Sequence, residues 1–253
     1  MMLTPRDWHE RYTRQAKWTY DLRRFLYSHI DLDEMNQVLE VGCGTGVISM
    51  ELNSLFTTKV YGLDIEPTNL NLAARLDQRS YFTLGDAHSL PYPTNMFDMT
   101  LCHFLLLWVM NPIKVVQEMA RVTRTDGYII ALAEPDYGGR IDYPDELDVV
   151  GKWQQESLYK QGADAQIGRR LAEIFNLAQL SDIQIGVLGG QWSGGNLMED
   201  WSNEWQILEN DYSLLAEKIH KWEYYKSLDR SHRQQGDRIL FVPTFYAYGK
   251  VAP

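Results

Sequence analysis

The run Val38-Leu39-Glu40-Val41-Gly42-Cys43-Gly44-Thr45-Gly46 decides how the chain is read. Its opening residues have the composition of a strand covered on both faces, as in a parallel sheet. The three alternating glycines permit positive φ and, lacking Cβ, let backbone approach a ligand closely. A helix predicted to begin near Val47 aims unpaired N–H groups and a positive dipole end at the turn. Glycine-rich turns serve several nucleotide-binding folds, so the discriminating residue is Glu40, just before the first glycine. A phosphate loop has little use for a carboxylate there; a ligand bearing an ammonium or another cation does.

Reading outward, Lys59 to Asp64 is a second buried strand, and Asp64 ends it where a carboxylate can take a ribose diol. A third strand, Tyr81 to Leu84, runs into Gly85-Asp86-Ala87, and a fourth, Phe97 to Cys102, feeds the apolar run Phe104 to Met110. Tyr128 to Ala133 is a fifth, closed by Glu134-Pro135-Asp136. Helices are predicted over about 47–56, 69–76 and 112–123. Strands alternating with helices at this rhythm predict βαβ units and a parallel, doubly wound sheet. Ligands of such sheets lie beyond the carboxyl ends of the strands, where Glu40, Asp64, Asp86, His103 and Glu134 fall.

Before this core, Pro5 to Ile30 reads as one helix with a wide aromatic face. After it, helices are predicted over 146–160 and 168–177, and strands over 183–188 and 239–249. Between those strands lies an insertion, about 191–237, holding Trp192, Trp201, Trp205 and Trp222.

A formal net charge of -10 argues against a broad phosphate-neutralising surface, so nucleic acid is not expected as a partner. Cys43 and Cys102, the two cysteines, sit in apolar strand-like segments and make neither a disulfide framework nor a metal-ligand spacing. No basic region followed by an apolar stretch opens the chain, and Phe104 to Met110 is too short to cross a bilayer. The expectation is a soluble cytoplasmic protein, monomer or homodimer, with no membrane partner.

With these motifs in order, the sequence resembles the class I S-adenosylmethionine-dependent methyltransferases, in their small-molecule branch. Val38 to Gly46 matches the family's first motif, Gly62-Leu63-Asp64 its second and Gly85-Asp86-Ala87 its third, while Phe97-Asp98 opens its fourth strand. The resemblance implies an α/β, Rossmann-like, seven-stranded and mostly parallel doubly wound sheet with an antiparallel last strand. It implies a single domain over 1–253: a helical lid over 1–35, a cofactor-binding core over 36–135, and a substrate-side half over 136–253. It implies S-adenosyl-L-methionine as cofactor and S-adenosyl-L-homocysteine as product. The turn Gly42, Cys43, Gly44 and Gly46 would pack on the methionine part, assisted at its amino end by Glu40. Asp64 would bind the ribose hydroxyls, Ile65 would pack on adenine, and Asp86 with the Ala87 backbone would take the adenine amino group. Cys102 and His103 would line the methionine side. The Asn/Asp-Pro-Pro-aromatic tetrapeptide of the amino-methylating nucleic-acid enzymes is absent, as Glu134-Pro135-Asp136-Tyr137 is not it.

A sulfonium is already an activated leaving group, so alignment and water exclusion are the main demands, and a base is needed only if the acceptor must lose a proton. His103 and Glu134 are the candidate catalytic groups, against bland roles as site walls. Tyr12 and Trp18 of the first helix, Leu107, Tyr137 and Trp192 are candidates for the lid or the acceptor pocket; the same aromatic residues would serve equally as core. The function expected is methyl transfer by direct displacement to a small-molecule O, N or C nucleophile in a largely apolar pocket. A non-catalytic cofactor-binding subunit stays open. So does a nicotinamide oxidoreductase, although its Gly-x-Gly-x-x-Gly would place the third glycine one residue later.

Overall fold

The computed structural model describes residues 4–30, 32–187, 201–212 and 221–253. The strands are β1 Gln37–Val41, β2 Lys59–Asp64, β3 Tyr81–Leu84, β4 Phe97–Cys102, β5 Thr123–Pro135, β6 Ile141–Tyr143, β7 Leu180–Val187, β8 Ile239–Phe241 and β9 Thr244–Val251. The helices are α1 Pro5–Trp18, α2 Tyr20–His29, α3 Val47–Leu55, α4 Pro67–Leu76, α5 Pro112–Val122, α6 Asp148–Lys160, α7 Leu171–Leu177, α8 Trp201–Tyr212 and α9 Trp222–Gln235. By contact the chain forms two compact units. The first is Met1–Glu134, Gly168–Gly186 and Phe245–Pro253; the second is Pro135–Ile167 and Val187–Thr244. Segments 168–186 and 245–253, grouped by sequence with the substrate-side half, thus belong to the first unit.

The first unit is built on a seven-stranded sheet of order β3-β2-β1-β4-β5-β9-β7. β1 pairs in parallel with β2 and with β4, placing Val41 beside Leu63 on one side and Cys102 on the other. Covered on both faces, β1 and β4 have no polar face to show, and every residue of β4 is buried. The end of β9 lies along the start of β7, since a Cβ on Gly249 would meet the Ser181 carbonyl. One strand of the sheet therefore runs against the others, as expected. α5 shows why its sequence folds as it does. Asn111 caps it by accepting the Lys114 N–H, Pro112 occupies its first turn, and Val115, Val116, Met119 and Val122 form the buried stripe.

Two expectations are corrected. The helix predicted over Pro5 to Ile30 is broken at Thr19, a buried residue with φ -105 and ψ 11 that separates α1 from α2. The strand predicted over 239–249 is likewise two strands. Pro243, which has no N–H to give a ladder, separates β8 from β9. β8 pairs antiparallel with β6.

In the second unit Leu147, Val150, Trp205, Leu208 and Trp222 form a small core, with the Trp205 and Trp222 rings 4.9 Å apart. Those two tryptophans are therefore core residues. Beside them Asp229 accepts from Trp201 Nε1, Trp205 Nε1, Arg233 Nε and Arg238 Nε at 2.6–3.0 Å. Asp142 accepts from Arg140 and Arg238, which joins β6 to the same network. Trp192 and the glycine pairs 189–190 and 194–195 lie outside the described residues.

Candidate functional site

The site forms where the carboxyl ends of β1, β2 and β4 meet. Gly42, Gly44 and Gly46 all have positive φ, at 75°, 52° and 80°. A Cβ on Gly42 would meet Leu105 at 2.7 Å, and one on Gly44 would meet the Tyr12 ring at 2.8 Å. Glycine is required there by space as well as by conformation. Asp64 closes the turn from β2. Its Oδ2 accepts the Gly44 N–H at 2.7 Å and its Oδ1 the Glu66 N–H at 2.9 Å. Partial burial nevertheless leaves the Asp64 carboxyl raised above its ordinary range. Beside it Ile65 is 70% exposed, an apolar surface held open at the strand tip.

Asp86, at the end of β3, is exposed and accepts from the backbone and Nδ1 of His88, at 2.8 and 2.7 Å. Those bonds hold its carboxyl below the usual range. Ala87 is buried next to it. Cys43 and Cys102 are buried, and burial drives both thiols well above their ordinary pKa, so neither is a thiolate nucleophile.

Glu40 is placed differently from a residue that greets a ligand. It is 2% exposed and accepts the Ser49 hydroxyl at 2.5 Å, and burial raises its pKa to about 8.

Of the two candidate bases, Glu134 is turned onto backbone amides and His103 is too weak to carry off a proton. Glu134 is fully buried, with its Oε1 accepting the Leu105 and Leu106 N–H groups at 3.0 and 2.9 Å and its Oε2 that of Leu107 at 3.3 Å. Burial raises it to about 7. Its geometry is that of a clasp on the loop after β4. His103 shares a 2.8 Å hydrogen bond between its Nε2 and Thr19 Oγ1, and burial, with Arg23 nearby, lowers its pKa to about 3. A base that weak stays neutral at physiological pH and drives no deprotonation there.

Among the lid and pocket candidates, Tyr12 is brought to the site. Its ring lies against Gly44 and stacks on Trp8, its hydroxyl is beside Asn69, and burial raises its pKa to about 12. Trp18 is 51% exposed, and Leu107 is packed into the core. Tyr137, in the second unit, gives its N–H to the Ala165 carbonyl at 2.9 Å.

The sequence reading missed what ties the N-terminal helices down. His9 Nδ1 shares a hydrogen bond with Thr45 Oγ1 at 2.9 Å, and Arg23 forks onto Glu51 at 2.7 and 2.5 Å. One signal was available. Arg23 lies on the helical stripe of Ala16 and Leu26, where a cation is out of place unless it has a buried partner.

A parallel sheet in this order, a glycine turn at the tip of its first strand and a carboxylate at the tip of its second define a nucleoside-binding α/β fold. The family model described as a methyltransferase domain matches residues 39–131. Over those residues the chain is similar to the class I S-adenosylmethionine-dependent methyltransferases. It is similar to an uncharacterized methyltransferase of Schizosaccharomyces pombe, 29% identical over 126 residues that cover 47% of this chain and 48% of that one. It thus spans about half the length of that curated relative. It is 27% identical over 194 residues to the demethylmenaquinone methyltransferase of Geobacillus stearothermophilus, covering 69% of this chain and 81% of the relative. In fold it is similar to phosphoethanolamine N-methyltransferase 2 of Haemonchus contortus in complex with S-adenosyl-L-methionine. That TM-score is 0.62 at 15% identity, over 100% of this chain and 61% of the other.

Proposed function

We propose that this chain transfers the methyl group of S-adenosyl-L-methionine to a small-molecule acceptor, with S-adenosyl-L-homocysteine as the product. The observation that carries this reading is the Asp64 carboxylate bonded to the Gly44 N–H, which sets an anionic acceptor beside a side-chain-free turn. The residues present fit the cofactor. Positive-φ glycines leave the room that Cβ atoms would fill, and the strand tips carry the carboxylates of Asp64 and Asp86. The buried Asn69 Oδ1 has no hydrogen-bond partner, next to the Tyr12 hydroxyl and therefore at the edge of the turn.

In this assignment Asp64 takes the ribose hydroxyls, Ile65 covers the adenine, Asp86 and the Ala87 backbone take its amino group, and Gly42 to Gly46 cradle the methionine part. When bound, the cofactor supplies a methyl group on a sulfonium that needs no further activation. What remains for the protein is alignment and exclusion of water. Glu134 serves by fixing the loop 105–107, and Tyr12 by covering the turn. With Glu134 sealed and His103 neutral, neither removes a proton before transfer, which favours acceptors that are nucleophilic as they bind.

The test is calorimetric binding of S-adenosyl-L-homocysteine, followed by release of labelled methyl into a panel of small O, N and C nucleophiles. Binding with turnover on an acceptor supports the proposal. Binding without turnover across the panel indicates a cofactor-binding subunit, and no binding removes the reading.

A further inference from the structure

The Arg23 side chain is buried at the α2 position that reaches both α1 and α3. Its Nε and one terminal nitrogen fork onto Glu51, and its other terminal nitrogen, Nη1, donates to the Ala16 carbonyl and to Thr19 Oγ1, each at 2.6 Å. Thr19 Oγ1 is in turn 2.8 Å from His103 Nε2 and 3.2 Å from the Gln15 carbonyl. Glu51, Arg23, Thr19 and His103 thus form one chain of contacts, running from α3 to the residue that follows β4.

One arrangement of the protons makes every contact of that chain a hydrogen bond. A guanidinium accepts no hydrogen bond, so Arg23 claims one lone pair of Thr19 Oγ1. The last carbonyls of α1 have no intrahelical donor, and the hydroxyl of Thr19 reaches back to the Gln15 carbonyl to supply one. With that proton spent on the helix end, Thr19 has a lone pair left for His103, and His103 must bring the hydrogen on Nε2. Its Nδ1 then carries a lone pair, and no described residue bonds it.

His103 follows Cys102 of β4, which lies opposite Val41 at the entry to the glycine turn. His103 therefore stands at the carboxyl end of β4, next to the strand tip that carries the glycine turn. We infer that Arg23 and Thr19 are positioning residues that hold His103 as the neutral Nε2–H tautomer, so that Nδ1 accepts a hydrogen bond from the O–H or N–H of the methyl acceptor. The acceptor class this selects is one whose nucleophile still carries a hydrogen. The inference rests on the methyltransferase reading, but its central claim concerns the protein alone.

Long-range nitrogen–proton correlation spectra of the full chain, labelled at histidine nitrogens, report the tautomer directly, with His103→Gln identifying the signal. Near neutral pH the expected result is a single Nε2–H tautomer for His103, retained when S-adenosyl-L-homocysteine is added and without a hydrogen-bond shift at Nδ1. Thr19→Val and Arg23→Gln are each expected to replace that pattern by a mixture of tautomers, while Thr19→Ser retains it. A native Nδ1–H tautomer overturns the inference, as does a Thr19→Val protein whose tautomer is unchanged. A cofactor-induced shift at Nδ1 assigns that lone pair to the cofactor's ammonium and overturns the assignment to the methyl acceptor. Calorimetry on the same samples separates the two readings: intact cofactor binding with the wrong tautomer defeats this inference alone.

Discussion

The backbone N–H of Gly44 points at Asp64 and is held 2.7 Å from its Oδ2. One bond thus couples the turn after β1 to the tip of β2, and it leaves the remaining lone pairs of Asp64 to meet a ligand. Asp64→Ala removes both the anchor and the charge. The expected loss of S-adenosyl-L-homocysteine affinity is about 1–3 kcal/mol, the range for hydrogen bonds to a charged group. Titration calorimetry measures it, and unchanged affinity would place the ribose elsewhere.

Glu40 and Glu134 give the protein an acid-favoured stability. Burial raises their folded pKa values to about 8 and about 7, above the ordinary 4.5 of a glutamic acid. The native state therefore holds these protons more tightly than the unfolded chain does. The resulting stabilisation is fully present below the unfolded value and is lost as pH rises through 7 and then 8. Urea midpoints are expected to fall across that interval. Glu40→Gln keeps a hydrogen-bonding side chain with no charge to bury, so it should flatten the upper part of the fall. An unaltered slope in that variant would clear Glu40 of the effect.

Much of this was legible in the sequence for physical reasons. β1 and β4 are buried on both faces, so their composition alone marks them, and turns that need positive φ advertise themselves as glycine. The burial of Glu40 and Glu134 was not legible, because a carboxylate at a strand tip reads the same whether it faces solvent or three backbone amides. Nor was the break at Thr19. A threonine inside a helical stripe gives no sign that Arg23 and His103, 84 residues away from Thr19 in the second case, will converge on its hydroxyl.

Gly44 and Tyr12 form a pair whose coupling can be measured. A methyl group at Gly44 would stand 2.8 Å from the Tyr12 ring on a backbone with φ of +52°. Gly44→Ala therefore carries two costs, the left-handed conformation at about 1 kcal/mol and the steric conflict. Tyr12→Ala relieves the second and leaves the first. In a double-mutant cycle on thermal stability, the double variant is expected to lie above the sum of the single losses. Simple additivity would show that the ring does not rest on the turn in solution.

The second unit offers a test of its own, because its charges balance around one carboxylate. Asp229 receives two indole N–H groups and two guanidinium groups, and Asp142 shares Arg238 with it. Replacing Asp229 by Ala takes one carboxylate from Arg233 and Arg238, both buried and left with Glu204 and Asp142 respectively, and leaves Trp205 Nε1 without its acceptor. Breaking one side of a buried ionic network costs about 3–5 kcal/mol, because the partner charge remains out of water. Asp229→Asn keeps an oxygen for the indoles but not the charge, and should fall between the two. Trp205 and Trp222 report unfolding of this core by fluorescence, so chemical denaturation read at tryptophan follows the loss. A small change for Asp229→Ala, within the ~0.5 kcal/mol of an ordinary surface substitution, would mean that the arginines reach water and the network does not bear on folding.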